Sequence, residues 1–417
     1  MRDDNDVLVL GGGVVGLACA VHLLRAGRGV TVLERGRAGG ATSRGNCGTI
    51  TPSHAAPLAM PGMVAKALKY LGQPDAPFRI APRFDPALFG WLLRFAGRCN
   101  WTTFDATTRV KGRFLLHARH SLAALVRDQA LQCGFEELGT LYCWRDARAF
   151  EQSAWLPRAL AAVGIEIRAL DGAAARAMEP ALNDSIVAAY HNPGDAHLRP
   201  DRYVAELARR VRELGGAIVE DTAVEHFFGD GDRIAGVAAG GRRWTGRDVV
   251  FALGAWSPAL GARIGLDLPI QPGKGYSITY ERPALAPRIP LVCKERSVCV
   301  TAWDDGFRLG STMEFAGYDE SLNRVRLDAL VRGAREYLRE PEGPRRVEEW
   351  YGWRPMTWDD LPIVGRARNW RNLVLATGHG MLGVTMSAVT GELVRDLVLG
   401  ARPDFDPAPL SPARFGT

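Results

Sequence analysis

The stretch Val7–Gly36, VLVLGGGVVGLACAVHLLRAGRGVTVLERG, constrains the fold of this chain more than any other. Val7–Leu10 is apolar, with β-branched residues at alternate positions, which suits a strand buried on both faces. Gly11, Gly13 and Gly16 follow in G-x-G-x-x-G spacing. In such a turn the first glycine makes the bend and the second lets a pyrophosphate approach the backbone. The third lets helix and strand pack closely. Val14–Ala26 reads as a helix with Leu17, Ala20 and Leu24 on one face, and Gly27 is placed to stop it. Val30–Leu33 reads as the next strand and runs into Glu34, at about the 20-residue spacing where a carboxylate meets ribose hydroxyls. Free N–H groups and a partial positive charge at the helix N-terminus suit a diphosphate. The order strand, glycine turn, helix, strand, acid therefore implies an adenine dinucleotide. By itself it leaves FAD and NAD both open.

The continuation bears on that choice. After Glu34 the chain makes a long excursion, RGRAGGATSRGNCGTITPSHAAPLAMPG, rich in Gly, Ser, Thr and Pro. A nicotinamide-binding unit would turn into its third strand here, whereas this excursion suits a segment lying along an extended cofactor. Further on, Val110–Gln132 reads as a long amphipathic helix and Leu138–Trp144 as a strand. Val224–Phe228 and Arg233–Ala238 flank a GDGD turn and read as a hairpin. Arg247–Ser257 reads as a buried strand running into Gly254, and strands are expected near 275–280, 298–302 and 307–311. Leu373–Gly400 reads as strand, glycine loop and helix, with Met386, Val389, Leu393 and Leu397 on one helix face. The expected fold class is α/β: a discontinuous Rossmann-like dinucleotide domain from 1–56, 150–226, 245–262 and 345–417, and a mixed-sheet (α+β) substrate domain from 57–149, 227–244 and 263–344.

Composition narrows the partners. A chain of 417 residues has room for two domains. The net charge is +6, yet only five residues are lysine and the arginines are scattered, so no nucleic-acid face is expected. Seven cysteines without C-x-x-C spacing suggest neither a zinc site nor a disulfide framework. The lead-in MRDDND leaves no room for a cleavable signal peptide, and no long apolar window is present. A cytoplasmic protein is expected. Phe84–Trp101 mixes Phe89, Trp91, Leu92, Leu93 and Phe95 with Arg94 and Arg98, a composition suited either to packing on the substrate domain or to a peripheral contact with the inner face of a membrane.

A second glycine loop, GHGMLGVT at Gly378–Thr385, precedes the last helix. It offers another anion-receptive nest, as the N1–C2=O edge of a reduced flavin would need. Taken in order, GGGVVG, ATSRGNCGTITPSHAAPLAMPG, VVFALGAWS, KGYS, GWRPMTWDDLPIVG and TGHGMLGVTM resemble the FAD-dependent D-amino-acid dehydrogenase small-subunit family, within the D-amino-acid oxidase and glycine oxidase group. The resemblance runs nearly end to end and implies FAD.

It also implies roles. Gly11, Gly13, Val14, Val15, Gly16, Glu34 and Arg35 would hold the pyrophosphate and ribose. Thr42, Ser43, Asn46, Gly48 and Thr49 would run beside the riboflavin chain and ring. Val224 would turn its backbone to the adenine, and Gly254 and Trp256 would sit near the cofactor. Gly378, Gly380, Met381, Leu382, Gly383 and Thr385 would form the loop at the pyrimidine edge. Arg354 would grip a substrate carboxylate, and Tyr276 would line the substrate cavity. With Thr49, His54 and His379 these two make up the candidate catalytic residues. His54 and Cys47 depart from the family pattern, which has Tyr and Ala there, and Arg308 is placed to point towards the flavin. The implied reaction is oxidation of a D-amino or D-imino acid by hydride transfer to flavin N5, with electrons passed to a quinone or respiratory acceptor. A D-hydroxyproline-type dehydrogenase, an oxygen-using oxidase and a flavin subunit without its own substrate are the alternatives.

Overall fold

The computed structural model describes residues 6–70 and 72–417, so most of the MRDDND lead-in lies outside the described residues. At its centre the strands Val7–Leu10 and Val30–Leu33 pair in parallel, Val9 opposite Val32, and all eight residues are buried. The sheet has six strands. In spatial order they are Ile363–Arg366, Leu373–Thr377, Asp248–Phe251, Val7–Leu10, Val30–Leu33 and Ala217–Val219. All pairs are parallel except the edge pair Ile363–Arg366 with Leu373–Thr377. Continuous apolar runs of Val, Leu and Ile are what a sheet covered on both faces requires.

One face is covered by the helices Val14–Arg25, Pro200–Glu213 and Gly383–Leu399. The helix Val14–Arg25 is buried from Val14 to Leu23, more completely than a single stripe through Leu17, Ala20 and Leu24 would give, because helices flank it on both sides. The other face is covered by a three-stranded antiparallel sheet, Val224–Asp230, Arg233–Ala239 and Arg242–Thr245. Its Ile234 and Val237 are buried with Leu8, Leu10, Val249 and Phe251.

The second layer is a nine-stranded mixed sheet. Its long members are Ile270–Tyr280, Gly306–Phe315 and Arg346–Thr357, paired antiparallel in register through Ser277↔Gly310 and Ser277↔Trp350. Two pairs are parallel: Leu291–Cys293 with Thr140–Trp144, and Gly306–Phe315 with Phe78–Ile80.

Several segments lie elsewhere than the sequence division placed them. Residues 227–244 pack on the dinucleotide sheet, because the hairpin's apolar face covers Leu8 and Phe251. Strands within 150–226 (Arg168–Asp171, Ala188–Asn192) and within 345–417 (Arg346–Thr357) belong to the nine-stranded sheet. The helix Trp101–Asp128 starts earlier than expected, capped by Asn100, and buries Leu115, Ala118 and Leu122 in the same core as Val384 and Ala388 of the last helix. The segment Phe84–Trp101 also divides. Asp85 caps a helix Pro86–Gly97 by accepting from Leu88 N. Leu88 and Trp91 are buried against Phe315 and Met356, and Trp91 Nε1 donates to the Met356 carbonyl. Phe84, Phe89, Leu93 and Trp101 face outward, at 91%, 52%, 74% and 53% exposure.

Candidate active site and cofactor cavity

A cavity of about 480 Å³ runs from the tips of the parallel strands to the inner face of the nine-stranded sheet. Gly11, Gly13, Val14, Val15, Glu34 and Arg35 line one end with Val224, Gly254 and Trp256. Thr42, Ser43, Asn46 and Thr49 line the middle. Tyr276, Arg354, His54, His379, Gly380, Met381, Leu382 and Gly383 line the other end. The sequence reading thus brings most of its candidate residues to one space.

The glycine turn accounts for its own residues. A Cβ at Gly16 would lie 2.0 Å from the Gly11 carbonyl oxygen, so Gly16 serves the helix–strand approach and does not line the cavity. A Cβ at Gly13 would meet nothing of the protein closer than Ser43 Oγ at 3.4 Å. Packing therefore does not demand glycine at Gly13, and its open side faces the cavity. This is the cradle that a diphosphate beside a helix N-terminus needs. Glu34 lines the same end, but its carboxylate also accepts from Gly12 N at 2.7 Å and Gly36 N at 3.0 Å, stitching the two loops together. The Arg35 guanidinium lies 3.8 Å from the centre of the Trp256 ring, a cation–π stack that closes this end.

Three further candidates shape the backbone and do not line the cavity. Gly48 and Gly378 take left-handed φ of +70° and +73° in tight turns. Thr385 Oγ1 donates to the Thr49 carbonyl and accepts from Thr51 N, both at 3.4 Å, joining the last helix to the segment 49–51. Arg308 is likewise behind the wall. Its side chain is buried and donates to the carbonyls of Arg44 and Asn46 at 2.9 and 2.8 Å, so it holds the 42–49 loop in place from outside the cavity.

Arg354 is the charged group of the far end. Its guanidinium donates to the Thr312 carbonyl at 2.6 Å and to the Ser311 carbonyl at 3.4 Å. Those carbonyls are free because Ser311 (φ +110°) and Thr312 (φ +49°) form a bulge where the register between Ile270–Tyr280 and Gly306–Phe315 shifts. The side chain lies over Gly275, where a Cβ would be 2.4 Å from its Cζ. Among the described residues no carboxylate pairs with Arg354. Burial pushes its pKa down to about 10, which leaves it charged at neutral pH. A desolvated guanidinium with no acid partner is incomplete until an anion arrives.

Tyr276 lines the cavity with its ring, but its hydroxyl donates to Glu314 Oε2 at 2.6 Å and is unavailable to a ligand. His379 is held from behind by Thr390, Nε2 to Oγ1 at 2.9 Å, and burial pushes it down to about 3, so its ring is neutral. Cys47 also lines the cavity, with its thiol 3.9 Å from the Cys299 carbonyl oxygen. Sequence reasoning missed Trp353, Trp350 and Ser311, which also line the cavity: Trp353 packs on Trp256 with ring centres 5.6 Å apart, Trp350 lies over Gly45, and Ser311 offers its carbonyl to Arg354. Trp353 could have been found, since it adjoins Arg354 in GWRPMT; Ser311 could not, since its place depends on the bulge.

Comparison with known proteins agrees with this geometry. The family model for DAO, the FAD-dependent oxidoreductases, matches residues 6–397. The D-amino acid dehydrogenase of Paramagnetospirillum magneticum is 35% identical over 401 residues, 94% of this chain and 95% of that protein. The D-amino acid dehydrogenase of Methylobacterium radiotolerans is 36% identical, covering 98% of this chain and 99% of that protein. Among solved structures, glycine oxidase from Geobacillus kaustophilus superposes with a TM-score of 0.80 at 23% identity, over 98% of both chains. Iminodiacetate oxidase from Chelativorans gives 0.73 at 21% identity, over 97% of this chain and 98% of that one. A glycine cradle at a helix N-terminus, a second glycine loop and a full-length match together decide the cofactor and the class: the chain belongs to the DAO family of FAD-dependent oxidoreductases.

Proposed function

We propose that this chain is an FAD-dependent D-amino-acid dehydrogenase that oxidises the Cα–N bond of a D-amino or D-imino acid. The observation that carries this reading is Arg354: charged, without an acid partner, and lining the cavity that also contains the glycine cradle. Its relatives named as D-amino acid dehydrogenases support the substrate class. Two of the five guanidinium N–H groups go to backbone carbonyls, which leaves a fork for a carboxylate. Tyr276 and Val292 give the substrate's remaining atoms an apolar wall. Bound FAD would supply the hydride acceptor. The protein's part is to hold the carboxylate at one end so that the Cα–H bond points at the flavin ring, which is a matter of positioning more than of acid–base chemistry.

The electrons would pass to a quinone or respiratory acceptor. Support comes from the outward Phe84, Phe89, Leu93 and Trp101, which with the exposed Arg94 make an apolar patch with a cation beside it, suited to the surface of an anionic membrane. No described helix is long and apolar enough to cross a membrane, so such a contact would be peripheral.

The test is anaerobic mixing of the FAD-loaded protein with D-alanine, cis-4-hydroxy-D-proline and their L-enantiomers. Bleaching of the flavin by a D-compound and not by its L-form is expected. No bleaching by any of them would reject the reading in favour of a flavin subunit without its own substrate. Reoxidation by air as fast as by a soluble quinone would identify an oxidase instead.

A further inference from the structure

His54 sits at the junction of the substrate end and a buried polar chain that the reaction described above does not use. Its Nδ1 lies 3.2 Å from Tyr142 Oη. Tyr142 Oη lies 2.8 Å from Ser53 Oγ. Ser53 Oγ donates to Asp195 Oδ2 at 2.5 Å. Thr140 Oγ1 donates to the same oxygen at 2.6 Å, and Ser53 N donates to Asp195 Oδ1 at 3.0 Å. Thr140, Asp195, Ser53 and Tyr142 are all at most 3% exposed.

Counting hydrogens fixes the direction of this chain. An ionised Asp195 can only accept. The single hydroxyl hydrogen of Ser53 is therefore committed to Asp195, and Ser53 Oγ can meet Tyr142 only as an acceptor. The Tyr142 hydrogen is then committed to Ser53, so Tyr142 Oη can meet His54 only as an acceptor. His54 must carry its proton on Nδ1. Nε2 is left with a bare lone pair and no described protein partner, on a ring that lines the substrate cavity.

We propose that His54 Nε2 takes the proton from the substrate's α-ammonium group and that Asp195 is its final holder. This rests on the amino-acid reading of the site. The N–H bond of the ammonium breaks and leaves its electron pair on nitrogen. Nε2 gains that proton as Nδ1–H passes to Tyr142, Tyr142 O–H to Ser53, and Ser53 O–H to Asp195. One proton leaves the substrate and one arrives at Asp195, with every intermediate group neutral again. The neutral amine then has the lone pair that departure of hydride from Cα requires.

The surroundings suit the task. Lys111 and Lys294 face His54 from the helix Trp101–Asp128 and from the turn after Leu291–Cys293, and Asp360 and His379 share a small adjoining cavity with it. Lys111 is paired with Asp360 at 2.5 Å. Burial and the two lysines push His54 down to about 3, so it passes a proton on and does not keep it. Burial pushes Asp195 up to about 6, against the hydrogen bonds from Ser53 and Thr140, which makes it the most proton-receptive group of the chain while still ionised at neutral pH.

Nitrogen-15 NMR of the FAD-loaded protein labelled at histidine reads the tautomer without any substrate, the His54 signal being assigned by its loss in His54→Gln. The expected wild-type state is Nδ1–H with bare Nε2. In Ser53→Ala the freed Tyr142 hydrogen should turn to Nδ1 and move the proton to Nε2. A wild-type Nε2–H tautomer overturns the proposal. The second arm is anaerobic flavin reduction by D-alanine and by cis-4-hydroxy-D-proline against pH. His54→Gln and Ser53→Ala should each lose about 10²-fold at neutral pH, the usual scale for a positioned base. The loss should shrink towards none in alkaline buffer, where the substrate arrives as free amine. A loss of equal size at every pH overturns the proposal in favour of a packing role. Nδ1–H in a protein reduced by neither probe would instead take down the amino-acid reading on which it rests.

Discussion

Replacing Arg354 by leucine removes a charge that the fold does not otherwise need. The guanidinium makes two bonds to the protein, to the Thr312 and Ser311 carbonyls, and no ion pair. With a substrate carboxylate on the remaining fork it would make two charge-assisted bonds, each worth about 1.5–3 kcal/mol. Their joint loss, about 3–6 kcal/mol, corresponds to a fall of roughly 10²–10⁴ in kcat/KM. The assay is anaerobic stopped-flow reduction of the flavin, with D-alanine and D-alaninamide compared in wild type and Arg354→Leu. The wild type should strongly prefer the carboxylate substrate, and the variant should lose most of that preference while keeping its flavin. Arg354→Lys should recover a part, since lysine keeps the charge without the fork. The reasoning fails if the leucine variant slows both substrates by the same factor. That result would mean that Arg354 only ties down the bulge at Ser311 and Thr312.

Three further outcomes are expected. Gly13→Val should be purified folded but without FAD, because its side chain would occupy the open face of the cradle; full flavin content in the variant would contradict this. Phe89→Glu/Leu93→Glu should abolish flotation with anionic liposomes and leave the melting temperature unchanged, whereas Trp91→Glu should unfold the protein by burying a charge; equal flotation of the double variant would move the contact to another surface. Acid should destabilise the protein from about pH 6.5 downward, as followed by thermal melting. Burial holds His22, His54 and His379 at about 3 and His197 at about 4, so the unfolded chain binds protons in this window that the folded one refuses. Asp195, raised to about 6, works in the opposite sense below that pH, but as one group against four; a melting temperature that rises on acidification would refute the balance.

What could be read from the sequence was local. The turn from Gly11 to Gly16 and the acid at Glu34 lie close in sequence, and their arrangement follows from backbone geometry within one strand–helix–strand unit. The parallel sheet, the body of the long helix from Val110 and the hairpin at 224–239 were legible for the same reason, whereas the helix's start at Trp101 was not. Side-chain partnerships across long stretches were not. That Tyr276 gives its hydroxyl to Glu314, and that Arg308 grips the 42–49 loop from behind, depends on which strands become neighbours. The division of the chain failed at residues 227–244 because the apolar residues of a hairpin do not reveal which sheet they will cover. Trp91 lay in a segment whose composition fits a membrane contact, and only the packing against Phe315 and Met356 separates its inward face from the outward Phe89 and Leu93.

The proposed reaction requires that one cavity hold FAD at the glycine cradle and a substrate carboxylate at Arg354. A crystal structure of the FAD-loaded protein, reduced with dithionite and soaked anaerobically with D-alanine, tests it most directly. Both carboxylate oxygens are expected to accept from the Arg354 guanidinium, with the Cα–H directed at the flavin ring and the amine beside His54 Nε2. A carboxylate bound elsewhere in the cavity, with Arg354 still contacting only Ser311 and Thr312, would contradict it.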